Sequence, residues 1–163
     1  MNSIQNVVAA IDFSEYSLPV LRQAADVCNA FSANLYMINV INQRDVDAVR
    51  FVEHMSYEQL NVKSFIEKQR KERNTNFYSL LNQTEMDSQK VIFVIKVGVP
   101  FEQLIKAVRE NNADLMVMGP KGRGNLAGIL FGTTAEKMFR HCPVSLLSVR
   151  EDGAYDRSMM TQK

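Results

Sequence analysis

Residues 114–149 read DLMVMGPKGRGNLAGILFGTTAEKMFRHCPVSLLSV. The stretch opens on a short apolar run, DLMVM (114–118), and then passes through Gly119, Gly122, Gly124, Gly128 and Gly132. A helical segment over about 133–141 follows, Pro143 stops it, and VSLLSV (144–149) is a second apolar run. Short apolar runs without polar alternation read as strands buried on both faces. Two such strands with a helix between them form a parallel pair joined by a right-handed crossover.

The same alternation extends upstream. NVVAAI (6–11), LYMINVI (35–41) and VIFVIKV (91–97) are three more apolar runs. Between the first two, a helix is expected from about Ser17, with Ser14 as N-cap and Pro19 inside the first turn. Its positions Val20, Leu21, Ala24, Ala25, Val27, Cys28 and Phe31 recur at helical spacing. Gly98 and Pro100 end the third run, and a helix over about 101–111 places Leu104, Ile105 and Val108 inward. Residues 42–90 contain no Gly or Pro and are expected to form a linker, then a long helix from about Ser56 to Thr84. On that helix Val62, Ile66, Phe77, Leu80 and Leu81 share one side. Gln69, Arg70 and Arg73 interrupt the stripe, so contact with the core is expected to be thin there. The pattern predicts an α/β fold: one Rossmann-like domain with an open sheet of five parallel strands and helices on both faces. In such sheets ligands bind beyond the carboxyl ends of the strands, where the strand order reverses. Asp12, Val40, Gly98 and Gly119 all stand at or just after such ends.

The 163 residues are 46% hydrophobic and 23% charged, which suits one domain with a continuous core. Nineteen Lys and Arg face eighteen Asp and Glu, so a nucleic-acid role, which calls for a basic excess, is disfavoured. The basic run KQRKER (68–73) reads as a solvated helix face. No window is apolar enough to span a membrane, and the first residues make a poor signal peptide, so a cytoplasmic protein is expected. Cys28 and Cys142 are too few for a disulfide framework, and His54 and His141 lack partners at metal-ligand spacing. No metal site and no catalytic residue is assigned.

The chemistry concentrates in the glycine segment. Gly119 and Gly122 permit a tight turn with exposed backbone N–H groups. Gly132, Thr133 and Thr134 start a helix, where N–H groups and the helix dipole favour an anion, and Thr133 can cap the helix itself. Lys121 and Arg123 add positive charge beside them. The segment suits the phosphates of a nucleotide. It contains no Gly-Lys-Ser/Thr, so it is no P-loop, and its glycine spacing and position after the fourth strand exclude the dinucleotide fingerprint. Taken singly, Asp12 would pass as an exposed turn acid and the glycines as a flexible loop.

Gly119-x2-Gly122-x9-Gly132-Thr133 resembles the G-x2-G-x9-G-[S/T] signature of ATP-binding members of the universal stress protein family. VVAAIDFSEYS, INVIN, KVGVP, DLMVMGPKG and CPVSLLSV resemble that family's landmarks in its order, over residues 4–150. The resemblance implies strand order 3-2-1-4-5 for a domain of residues 1–150, followed by a flexible tail over 151–163. It implies adenine and ribose contacts at Ala10, Asp12 and Val40, with Gly98 at the third strand end. Met118, Gly119, Lys121, Gly122 and Arg123 would hold ribose and phosphate, and Gly132, Thr133 and Thr134 the terminal phosphates. It implies ATP, with Mg2+ able to bridge its phosphates, and a homodimer through the fifth strand, Val144 to Val149. The function so implied is a nucleotide-dependent stress-response regulator or sensor acting on a protein client. Slow ATP hydrolysis and a nucleotide-independent dimeric interaction module are the alternatives. Pro120 departs from the Ser common at its position and removes one N–H donor.

Overall fold

The computed structural model describes residues 3–55, 61–122 and 132–150. Five parallel strands form one sheet: β1 (Asn6–Ala10), β2 (Asn34–Asn42), β3 (Val91–Gly98), β4 (Leu115–Met118) and β5 (Ser145–Ser148). Their order is β3-β2-β1-β4-β5. The order reverses between β1 and β4, so the crevice that such a sheet offers opens beyond Ala10 and Met118.

The strands are apolar on both sides because helices cover both faces. Val7, Ala9, Leu35, Met37 and Val117 pack with α1 (Ser17–Phe31) and α3 (Val62–Leu81). Val8, Ile38, Met116 and Met118 pack with α4 (Pro100–Glu110) and α5 (Thr133–His141). Val7, Val8, Ala9, Leu35, Met37, Met116 and Val117 are fully buried. Each larger aliphatic side chain so buried contributes about 1.5–3 kcal/mol. At β5, Leu147 and the following Val149 face the first core, and Leu146 and the preceding Val144 the second.

Five expectations are corrected. First, residues 43–55 are not a linker: they form a helix, α2 (Gln43–Met55). Asn42 Oδ1 accepts the Arg44 N–H at 3.1 Å and starts it, and Val46 is its buried anchor. Second, Ser14 does not cap α1. Its N–H donates to Asp12 Oδ1 at 3.0 Å, and Tyr16 occupies the cap position without a side-chain bond. Third, the polar interruption of α3 is in contact with the core. Arg73 is 6% exposed, reaches β2, and lies one turn before the buried Phe77. That helix is also shorter than expected and begins with Asn61 as its N-cap, the Asn61 side chain accepting the Ser64 N–H at 2.7 Å. Thr133 does not cap α5 either; Gly132 occupies that position.

Candidate functional site

Beyond the carboxyl ends of β1, β2 and β4 lies a crevice of about 700 Å³. Cavities that bury small ligands typically fall between about 300 and 1,000 Å³. Each wall follows from a strand end. Ala10 and Asp12 come from β1, Val40 from β2, and Met118, Gly119, Lys121 and Gly122 from β4 and the turn after it. Gly132, Thr133 and Thr134 come from the start of α5. All ten were expected at this site from the sequence. Gly98 is not among the lining residues; its φ of 145° serves the turn between β3 and α4. Arg123 lies outside the described residues, as does the expected tail over 151–163.

Asp12 is held in a fixed orientation. Its Oδ1 accepts the Ser14 N–H at 3.0 Å and the Ser17 hydroxyl at 3.2 Å. Its Oδ2 faces Gly122, where a Cβ would stand 2.6 Å away. Side-chain carbons do not approach that closely, so Gly122 is the residue that lets the turn lie against the carboxylate. Gly119 is bare for a similar reason, since a Cβ there would stand 2.9 Å from Tyr16 Cβ. Gly132 is different. Its φ is −74°, and a Cβ would meet nothing nearer than Lys121 Cα at 3.6 Å. The Gly132 N–H donates to Pro120 O at 2.9 Å, which ties the start of α5 to the turn after β4.

The electrostatics favour an anion at the α5 end. The first intrahelical bond runs from the Glu136 N–H to Gly132 O, so the N–H groups of Thr133, Thr134 and Ala135 precede the ladder. They face the crevice together with the Lys121 side of the turn. The positive end of the helix dipole adds to them. Burial pushes the Cys28 thiol up to about 11, and burial also raises Cys142. Among the described residues, no group of three or more His, Cys, Asp or Glu is placed to hold a metal ion. Nor is any helix among them long and apolar enough to cross a membrane.

The wall formed by β2, α2 and α3 holds residues that the glycine spacing does not reach. Asn39 of β2 is 2% exposed, and its Nδ2 donates to Ile11 O at 2.7 Å. Arg73 Nη1 donates to Asn39 Oδ1 at 2.9 Å and Nη2 to Gln69 Oε1 at 2.8 Å. Arg44 and Asp45, on the first turn of α2, also line the crevice. A signal for Asn39 was present: it is a polar residue inside the apolar run LYMINVI, and a buried amide needs partners.

The sequence model of the universal stress protein family matches residues 3–150. The chain belongs to the universal stress protein family. Among its relatives, universal stress protein MJ0531 of Methanocaldococcus jannaschii is 28% identical over 148 residues, 88% of this chain and 81% of the relative. The solved structure of MJ0577 from the same organism superposes with a TM-score of 0.73 at 22% identity, covering 94% of this chain and all of that one. A universal stress protein from Archaeoglobus fulgidus, solved in complex with dAMP, superposes with a TM-score of 0.60 at 17% identity, over 92% of this chain and all of that one. The superposition with MJ0577 shows a shared fold, which in this chain is five parallel strands in the order 3-2-1-4-5 with helices on both faces.

Proposed function

We propose that this universal stress protein binds an adenine nucleotide, ATP with Mg2+ bridging its phosphates, in the crevice between β1, β2 and β4. The observation that carries the reading is the seat of Gly122 on the Asp12 carboxylate, beside the start of α5. It joins an acceptor for sugar hydroxyls to a run of N–H donors for phosphates within one cavity. A relative that binds dAMP supports the choice of adenine nucleotide. Ala10, Asp12 and Val40 take the base and ribose. Met118, Gly119, Lys121, Gly122 and Arg123 take ribose and phosphate, and Gly132, Thr133 and Thr134 the terminal phosphates.

The bound nucleotide acts as a regulatory ligand of a homodimer paired through the fifth strand, Val144 to Val149. β5 ends the strand order, and an edge strand with apolar side chains invites pairing with a second copy. The test is the content of the purified protein. Denaturation and anion-exchange chromatography of the supernatant should release an adenine nucleotide, or the purified protein should take one up from added Mg-ATP with micromolar affinity. A protein that releases none, and takes none up when Mg-ATP is added, sinks the reading and leaves the nucleotide-independent interaction module.

A further inference from the structure

Asp12 is flanked by two residues that are both held by helix α3. On one side is Ile11, whose carbonyl accepts Asn39 Nδ2 at 2.7 Å; Asn39 Oδ1 in turn accepts Arg73 Nη1 at 2.9 Å. On the other side is Phe13, which stands in the left-handed region at φ 62°. Its ring meets Phe77 edge-on at 5.3 Å, and Phe77 stacks on Phe93 of β3 at 4.9 Å. Arg73 and Phe77 are spaced i, i+4 and so share one face of α3. Arg73 is 6% exposed, Asn39 2%, and Phe77 fully buried.

We propose that Arg73 is a positioning residue for the nucleotide crevice, acting through Asn39 on the Ile11–Asp12 peptide. The Ile11 carbonyl and the Asp12 N–H belong to one planar unit, so a bond to that oxygen sets the plane from which the Asp12 side chain departs. Asn39 spends its amide on Ile11 and its carbonyl on Arg73, which leaves the order of the relay with one direction. The guanidinium is in turn fixed by Gln69 Oε1 at 2.8 Å, on the preceding turn of α3. Phe77 braces the other flank. The turn of α3 that carries Arg73 is therefore part of the nucleotide site and aims the acid that meets ribose. A ligand or partner that shifts α3 would be felt at Asp12.

The proposal rests on the nucleotide reading, and its test separates the two. Three variants are compared with the wild type: Arg73→Met, Arg73→Lys and Asn39→Asp. Each is read by calorimetric titration with Mg-ATP, by thermal melting, and by hydrogen exchange of the Ser14 amide, which donates to Asp12 Oδ1. Asn39→Asp keeps an acceptor for Arg73 but loses the donor to Ile11 O. It should lower the melting temperature while remaining folded at 25 °C, weaken binding about tenfold, and speed Ser14 exchange. Arg73→Met should weaken binding by a similar factor. Arg73→Lys, which keeps one donor for Asn39, should stay within about threefold of the wild type. A purely structural role predicts otherwise for Asn39→Asp: a lowered melting temperature with unchanged affinity and unchanged Ser14 exchange in the folded protein, a result that overturns the proposal. Wild-type protein that binds no nucleotide defeats the functional reading, and the Ser14 exchange rates then still decide the relay. If Arg73→Met fails to fold, Asn39→Asp and Arg73→Lys carry the comparison.

Discussion

The Asp12 carboxylate and Gly122 touch across 110 residues of chain: a Cβ on Gly122 would stand 2.6 Å from Asp12 Oδ2. This contact lies in the crevice beyond the ends of β1 and β4, and it makes the two glycines at the ends of the x9 segment unequal. Gly122→Ala forces Asp12 or the turn to move, while Gly132→Ala places its Cβ at ordinary contact, 3.6 Å from Lys121 Cα. Calorimetry with Mg-ATP should show about a tenfold loss for Gly122→Ala and less than about a twofold loss for Gly132→Ala, tenfold being about 1.4 kcal/mol. Both should keep the wild-type circular dichroism. Equal losses at the two positions would mean that Asp12 is not engaged by the nucleotide.

Gly98 separates stability from binding. Its φ of 145° is hard for any side chain, and a Cβ there would stand 2.7 Å from Gln103 Nε2. Gln103 can swing away, so backbone strain dominates, at about 1–3 kcal/mol. Gly98→Ala should lower the urea midpoint accordingly and leave nucleotide affinity unchanged, because Gly98 does not line the crevice.

Phe77 ties α3 to both Phe13 and Phe93 and is fully buried. Phe77→Ala should cost about 3–5 kcal/mol in equilibrium denaturation, from lost burial and the cavity it leaves. That is a large part of the roughly 5–15 kcal/mol that holds a domain together. Strain at Phe13, about 1–2 kcal/mol for a left-handed residue, would relax when its ring loses its brace. A cost below about 1 kcal/mol would show that α3 is only loosely docked.

Burial holds the Cys28 thiol at about 11, raised from an ordinary 9.0. Between those values the unfolded chain has released a proton that the folded chain keeps. Stability therefore falls as pH rises through that window and is unaffected by this group below it. Relative to Cys28→Ala, the wild type should lose on the order of 1 kcal/mol by pH 10, measured by urea denaturation at a series of pH values. A parallel pH dependence in both proteins would contradict the buried, protonated thiol.

The fold was legible because the five strands are buried on both faces and so stand out as unbroken apolar runs. NVVAAI, DLMVM and VSLLSV need no partner to be recognised. Residues 43–55 were illegible for the opposite reason. α2 buries only Val46, so its exposed faces carry mixed charge and no stripe, and its start depends on the Asn42 side chain. The ten lining residues that follow the strand ends and the glycine spacing could be read in one dimension. Arg73 could not, because it works through Asn39, 34 residues away, and a polar residue on a helix reads as solvated until its partner is seen. Gly98 was drawn into the site by its place after β3, although its backbone angle accounts for it without a ligand.

The most direct test is a calorimetric titration of nucleotide-stripped wild-type protein with Mg-ATP. The account predicts one site per chain with a dissociation constant in the micromolar range, and a loss of about tenfold or more in Asp12→Asn. No heat from ATP, ADP or AMP at millimolar concentration, with no displacement of a fluorescent adenine nucleotide, would contradict it. The Asp12–Gly122 crevice would then be a feature of the fold without a nucleotide to hold.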